Sequence, residues 1–216
     1  MSTYNIIYNG LILIGALLSF MAWEKGHKRF LILAVLLLAT TSTELYVQYL
    51  IKKQADFTYV YHAFIAIEYP LFCWFLIGAI KPGRFATAMK ISIPVYIIIS
   101  LFLSWSKYHF TGFPGLNINM EGMLQSIVCT YILFNLEVQE DRSILKNQYF
   151  WICSGILIFF GTTFFFNGVY SKVLNMGTEK AFLLFGIINK PLNLIFYALI
   201  IIGILCLPMN RKPITQ

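Results

Sequence analysis

The chain alternates between long apolar stretches and short polar connections. Seven stretches each have the length, about 20 residues, that an α-helix needs to cross the hydrocarbon core of a bilayer. They are apolar on all faces, which is typical of helices surrounded by lipid. The pattern predicts an all-α fold, a seven-transmembrane-helix bundle that forms a single transmembrane domain over residues 1–216. The predicted spans lie near 4–23, 28–51, 57–80, 84–106, 117–138, 148–171 and 182–207.

Lysine and arginine residues are distributed unequally between the two ends of these spans. One side has five, and the other side, which includes the C-terminus, has ten: Lys25, Lys28, Arg29, Lys81, Arg84, Lys90, Arg142, Lys146, Arg211 and Lys212. Cytoplasmic loops carry an excess of basic residues. The excess therefore predicts a cytoplasmic C-terminus and, with an odd number of spans, an N-terminus outside the cytoplasm. No basic residue precedes the first stretch and no cleavage motif follows it, so we expect a helix there and not a signal peptide.

Composition supports lipid as the main solvent. The 216 residues are 59% hydrophobic and 12% charged, whereas soluble domains have about 25% charged residues. The net charge of +7 comes from basic residues in twos and threes between apolar stretches, so we predict no nucleic-acid partner. The four cysteines all lie inside apolar stretches without metal-ligand spacing, which favours a packing role.

Strongly polar residues within the spans concentrate in the outer half of the predicted bundle. Several are spaced i,i+4, which places them on one helix face, and polar faces of spanning helices turn toward the interior or a cavity. The inner half is mostly apolar, with Asn135 as the main exception. The pattern predicts an outward-facing polar pocket above an apolar floor. The predicted ligand-binding residues are Glu44, Gln48, His62, Glu68, Glu121, Gln125, Asn167, Asn189, Lys190 and Asn193.

Lys190 is the most informative of these residues. A lysine deep in a span costs about 3 kcal/mol on insertion scales, so it must find a carboxylate, lose its proton or reach water. Glu68 lies near the midplane, about 16 Å from the start of the third span, and is one candidate partner. Glu44 and Glu121 are the others.

Known catalytic and metal motifs are missing from the chain, so no catalytic residue and no metal site are predicted. His62 has no second histidine on its side of the membrane except His109, and His27 lies on the opposite side. A ceramidase-like membrane hydrolase would need an H-x-x-x-H motif in the seventh helix, which is absent.

Lys190 in the seventh helix, combined with the N-out topology, superficially resembles a microbial rhodopsin. That resemblance implies retinal on Lys190, with Glu68 as counterion. However, rhodopsins carry an acid one turn before the lysine, where this chain has Gly186, and the sixth span lacks the Trp and Pro of a retinal pocket. We therefore predict no cofactor.

Three segments resemble small seven-helix membrane proteins of unknown function that are common in Bacteroidota. They are Ala66-Ile67-Glu68-Tyr69-Pro70-Leu71-Phe72, the F-W-x-x-S-G-I-L-I pattern at 150–158 and the L-N-x-I-x-x-x-L pattern at 192–199. The resemblance covers roughly the last two thirds of the chain. It implies a multi-pass protein of the bacterial inner membrane, associated with signalling.

These features favour a membrane receptor or sensor module, not an enzyme, that binds a small ligand in the outer pocket. Its expected partners are the lipid bilayer, the ligand and a cytoplasmic signalling protein. An alternative is a small transporter or proton-coupled carrier that uses Glu68 and Lys190. A third interpretation is a lipid-modifying membrane enzyme with His62 and Glu68 as acid and base.

Overall fold

The computed structural model describes residues 3–136, 143–174 and 178–207, with the side chains of 165–174 and 178–185 excepted. The described residues form seven α-helices and no strand, which confirms the predicted all-α class. The helices are α1 (Thr3–Glu24), α2 (Phe30–Lys52), α3 (Thr58–Leu76), α4 (Arg84–Ser106), α5 (Gly115–Phe134), α6 (Gln148–Leu174) and α7 (Thr178–Leu205). Single-turn 3-10 helices follow α3 at Ile77–Ala79 and precede α6 at Ile144–Lys146.

Five helices are long and apolar enough to cross a membrane: Thr3–Glu24, Phe30–Lys52, Thr58–Ala79, Arg84–Ser106 and Gly186–Leu205. The described part of α6 contributes a shorter apolar stretch, Gln148–Phe164. Helix α5 does not reach the same hydropathy, because its first half carries Asn117, Glu121 and Gln125. The two remaining predicted spans are also helices, α5 and α6.

Six helices close into a ring. Helix α1 contacts α2 and α7, α2 contacts α3, α3 contacts α5, and α5 contacts α6, which packs along α7. Helix α4 packs mainly on α3, outside this ring, and only 22% of its most apolar window is buried. The interior of the bundle is therefore formed by α1, α2, α3, α5, α6 and α7.

The two ends of the bundle differ in their interior side chains. We call the end where α1, α3 and α5 begin the amino-terminal end of the bundle. The opposite half is filled by buried apolar side chains, among them Leu33, Leu37, Phe75, Leu76, Ile152, Ile156 and Ile204. Glycines allow close approach there: a Cβ on Gly155 would lie 3.1 Å from Leu199 Cβ. Small residues at helix contacts are typical of membrane bundles, because they let the backbones approach.

Asp56 caps the first turn of α3 from the loop after α2. Its Oδ1 accepts hydrogen bonds from the Thr58 hydroxyl at 2.7 Å and the Thr58 backbone amide at 2.9 Å. The Thr58 hydroxyl also lies 3.0 Å from the carbonyl oxygen of Thr111, in the loop that precedes α5. The contacts of Thr58 therefore join two loops at the amino-terminal end of the bundle.

We expect Asp56 to titrate below its ordinary value of about 3.9. The hydroxyl of Thr58, and secondly its amide, lower the pKa of the Asp56 carboxyl. Because the folded pKa is depressed, the stabilisation is present above about pH 4 and is lost as pH falls through the folded pKa. Carboxyl chemical shifts measured by NMR across pH should give a lowered midpoint that rises in Thr58→Val. Thr130→Val, at an exposed site in α5, should leave it unchanged; an unshifted midpoint in Thr58→Val would contradict the cap.

Candidate functional site

Three glutamates on three helices of the ring influence one another electrostatically. Glu44 on α2 and Glu68 on α3 lie close enough to interact electrostatically, and Glu68 interacts in the same way with Glu121 on α5. Glu121 is 1% exposed and the other two are half-buried. We call Glu44, Glu68 and Glu121 the acidic cluster. Its members lie on three separate predicted spans, where the sequence placed Glu44 and Glu121 in the outer half and Glu68 near the midplane.

Tyrosines from α1 and α7 border the acidic cluster on the Glu44 side. The Tyr8 side chain is hydrogen-bonded to the carboxyl group of Glu44. Tyr8 also contacts Tyr197, with ring centroids 5.6 Å apart in an edge-on arrangement, and Tyr197 reaches the side chain of Thr40. Five helices of the ring therefore contribute polar side chains to one interior region, which we call the chamber.

Glu121 has a different environment on the other side of the chamber. The Tyr96 hydroxyl and the Gln125 amide are its polar neighbours. Yet Glu121 Oε1 and both amide atoms of Gln125 are buried without a well-aligned hydrogen bond to any described residue. The Tyr96 ring packs on Tyr69, with centroids 4.3 Å apart, so α4 reaches this side of the chamber through its aromatic side chain. Buried polar groups without partners are rare in folded proteins and require a specific explanation.

His62 and Asn117 form a separate hydrogen-bond network at the amino-terminal end. His62 Nε2 lies 2.9 Å from the Gly112 carbonyl oxygen, and His62 Nδ1 lies 2.8 Å from Ser104 Oγ. The Asn117 amide donates to Ser104 Oγ at 2.9 Å and to Ser100 Oγ at 3.1 Å. A carbonyl only accepts, so Nε2 carries a proton, and Ser104 can donate to Nδ1 while it accepts from Asn117. Both ring nitrogens of His62 are thus occupied by the chain itself.

Lys190 contacts an aromatic ring and not a carboxyl group of the acidic cluster. Its ammonium nitrogen is 5.4 Å from the centroid of the Tyr4 ring, a cation–π contact, and the side chain is exposed. Asn193, one turn along α7, contacts the Tyr4 hydroxyl. The described residues contain no ion pair between Lys190 and Glu44, Glu68 or Glu121. Of the three alternatives considered for Lys190, pairing with one of these carboxylates is therefore not observed.

The other predicted binding residues occupy varied positions. Gln48 is half-buried one turn beyond Glu44 on α2, toward the amino-terminal end. Asn189 Oδ1 is buried without a hydrogen-bond partner in the described part of the chain. The side chain of Asn167 falls outside the described residues. Of the ten predicted residues, the structure brings Glu44, Glu68, Glu121 and Gln125 together.

Sequence reasoning missed the tyrosines of the chamber, Tyr8, Tyr96 and Tyr197, because tyrosines in membrane proteins are enriched at the membrane interfaces and do not by themselves indicate an interior site. A usable signal was the i,i+4 spacing of Tyr4 and Tyr8 on α1, because it places both hydroxyl groups on one face.

Three cysteines also meet inside the bundle, beyond the acidic cluster. Cys129 on α5 lies beside Cys153 on α6 and close to Cys73 on α3, and all three are buried free thiols. Cys129 follows Gln125 by one turn on α5, so the polar face formed by Asn117, Glu121 and Gln125 ends at Cys129. Within the described residues, no group of three or more His, Cys, Asp or Glu side chains is arranged to hold a metal ion.

Comparison with known proteins gives no relative. The chain matches no protein-family model, no curated protein and no solved structure. The function must therefore be inferred from the chamber itself.

Proposed function

We propose that this chain is a receptor or sensor module of the bacterial inner membrane that binds a small ligand in the chamber. In this proposal all seven helices span the membrane, with the N-terminus outside and the C-terminus in the cytoplasm. The amino-terminal end of the bundle then faces outward. The observations that carry the proposal are the electrostatic interactions that link Glu44, Glu68 and Glu121, and the buried Gln125 amide that has no hydrogen-bond partner among the described residues.

The physical reason is the cost of polar groups in a bilayer. An ionisable side chain within a span is expensive to insert, and such residues usually mark a binding site or an ion pathway. Here the chain contributes three carboxyl groups to one region and leaves the Gln125 amide without a partner among the described residues. A purely structural role would favour complete pairing, because an unsatisfied buried polar group costs about 1–3 kcal/mol.

The resemblance to the Bacteroidota membrane proteins supports a signalling role with a cytoplasmic partner. Exposed basic residues at the opposite end of the bundle, such as Lys28 and Arg84, would face that partner and the lipid headgroups. The carrier hypothesis has less support, since the described residues contain no ion pair between its coupling residues Glu68 and Lys190. Lys190 contacts Tyr4 instead.

Thiol accessibility tests whether water and ligands can reach the chamber. We expect iodoacetamide to modify Gln48→Cys at least 100-fold faster than the natural Cys129, in full-length protein reconstituted in nanodiscs. Gln125→Cys should react at least tenfold faster than Cys129, because the chamber must open for a ligand to enter. In each variant, mass spectrometry of the cysteine-containing peptides measures the labelling rate of the introduced cysteine and that of Cys129 in the same sample.

Cys129 is the matched internal control for this experiment. It is 0% exposed, as is Gln125, and lies one turn further along the same helix. General unfolding would expose both positions equally. Faster labelling at position 125 than at position 129 therefore shows that the accessible part of the chamber extends to position 125. Equal rates at positions 48, 125 and 129 would mean that no outward path reaches the chamber, and the proposal would then be abandoned.

A further inference from the structure

The acidic cluster needs positive charge that the described chain does not supply. The three carboxyl groups interact electrostatically on the inner faces of α2, α3 and α5, and the exposed Lys190 of α7 is held over the ring of Tyr4. Burying anionic groups in a low-dielectric interior is costly unless cations or hydrogen-bond donors accompany them. Protons can supply part of this charge, and a bound cation can supply the rest.

The unpartnered atoms on α5 indicate what kind of cation fits. Asn117, Glu121 and Gln125 follow one another at i,i+4 spacing and are 0%, 1% and 0% exposed. Four of their side-chain atoms have no hydrogen-bond partner among the described residues. Three of these atoms accept hydrogen bonds, namely Asn117 Oδ1, Glu121 Oε1 and Gln125 Oε1, and Gln125 Nε2 donates. A ligand rich in N–H donors would satisfy most of this set.

Aromatic rings beside the carboxyl groups favour an organic cation over a metal ion. Tyr96 adjoins Glu121 and packs against Tyr69, while Tyr8 adjoins Glu44 and packs against Tyr197. Tyrosine faces attract ammonium groups through their ring quadrupole. The side chains described contain no cluster of three acidic, histidine or cysteine groups arranged around a metal ion.

We propose that the chamber binds a small organic cation that carries a primary ammonium group. The ammonium is held by Glu68 and Glu121 and donates to the Gln125 amide oxygen, and the tyrosine rings enclose its carbon chain. This inference rests on the proposed ligand chamber and adds the charge and chemical class of the ligand.

Thermal stability in the presence of a simple probe tests the inference. Full-length protein in nanodiscs is titrated with n-butylammonium and, separately, with n-butanol, which has the same carbon chain and no charge. Because a ligand that binds only the folded state raises its stability by mass action, the unfolding temperature should rise saturably with n-butylammonium alone. Glu121→Gln and, independently, Glu68→Gln should each weaken the apparent affinity at least tenfold.

Glu24→Gln is the matched control, because Glu24 is exposed at the end of α1 and remote from the chamber. Its affinity for n-butylammonium should equal that of the unaltered chain. An equal effect of n-butanol, or no saturable effect of n-butylammonium on the unaltered chain, overturns the inference even if a glutamate variant fails to fold. Equal loss of affinity in Glu24→Gln would also overturn it. If Gln125→Cys is labelled fast but one of these contradicting results is obtained, the proposed ligand class is refuted. The proposal of an accessible chamber that binds some other ligand would still stand.

Discussion

Replacing Gly203 with leucine is expected to prevent formation of a stable bundle. Gly203 is buried where α7 crosses α6, and a Cβ at this position would lie 2.6 Å from Ile152 Cγ1 and 2.8 Å from the backbone oxygen of Gln148. The isoleucine can adjust only slightly, and the backbone oxygen belongs to the first turn of α6. Overpacking by even one or two methylene groups costs about 1–3 kcal/mol, and a whole leucine side chain adds four carbon atoms.

Size-exclusion profiles and unfolding temperatures of purified protein measure this effect. The unaltered chain should give a single monodisperse peak, whereas Gly203→Leu should aggregate or unfold at a temperature lower by more than 10 °C. The milder Gly203→Ala should give a smaller decrease in the same direction.

Gly10→Leu provides the matched control for Gly203→Leu. Gly10 lies within α1, and a Cβ there has no atom within 4 Å. The same substitution should therefore leave the elution profile and unfolding temperature nearly unchanged. A Gly203→Leu protein as stable as Gly10→Leu would show that α6 and α7 do not pack through this glycine.

Replacing His62 with phenylalanine is expected to have the second largest effect, a loss of about 2–6 kcal/mol in the free energy of unfolding. The estimate counts two buried hydrogen bonds, because each group left unsatisfied costs about 1–3 kcal/mol. The Gly112 carbonyl oxygen loses its donor and the Ser104 hydroxyl loses the acceptor of its proton, although Ser104 Oγ still accepts from Asn117. Phenylalanine preserves the ring contacts with Tyr108 and Phe110, so the loss would report hydrogen bonding and not packing.

The unfolding temperature and amide exchange near Gly112 measure this change. His27→Phe is a suitable control, since His27 is half-buried and contacts Phe30 edge-on, with centroids 6.2 Å apart. That variant should retain the stability of the unaltered chain. If His62→Phe were as stable as His27→Phe, the network would not be what joins α3 to α4 and to the loop before α5.

The sequence predicted the helices closely because their determinants are local. The third span was expected at 57–80, and α3 covers Thr58–Leu76, with a 3-10 turn at Ile77–Ala79. The fifth was expected at 117–138, whereas α5 begins at Gly115 and ends at Phe134, just before Asn135. A continuous apolar stretch of about 20 residues without an interior break specifies a helix whatever its neighbours are.

The depth of polar residues also followed from the sequence, because a helix advances about 1.5 Å per residue. Glu44, Glu68 and Glu121 were placed about 10, 16 and 6 Å from the outer ends of their spans. Their convergence depends on three separate helices that turn the corresponding faces inward. Helical spacing within one span could not establish this.

The sequence by itself thus determined the all-α class, the approximate limits of seven helices and the concentration of polar groups toward one end. Only the tertiary structure decided the order of helices in the ring, the peripheral position of α4, the pairing of Tyr8 with Glu44 and the contact of Lys190 with Tyr4. The physical reason is that these helices are apolar on all faces, so no hydrophobic stripe identifies a neighbour. Packing of small residues and interhelical hydrogen bonds select the partners, and both depend on positions far apart in the chain.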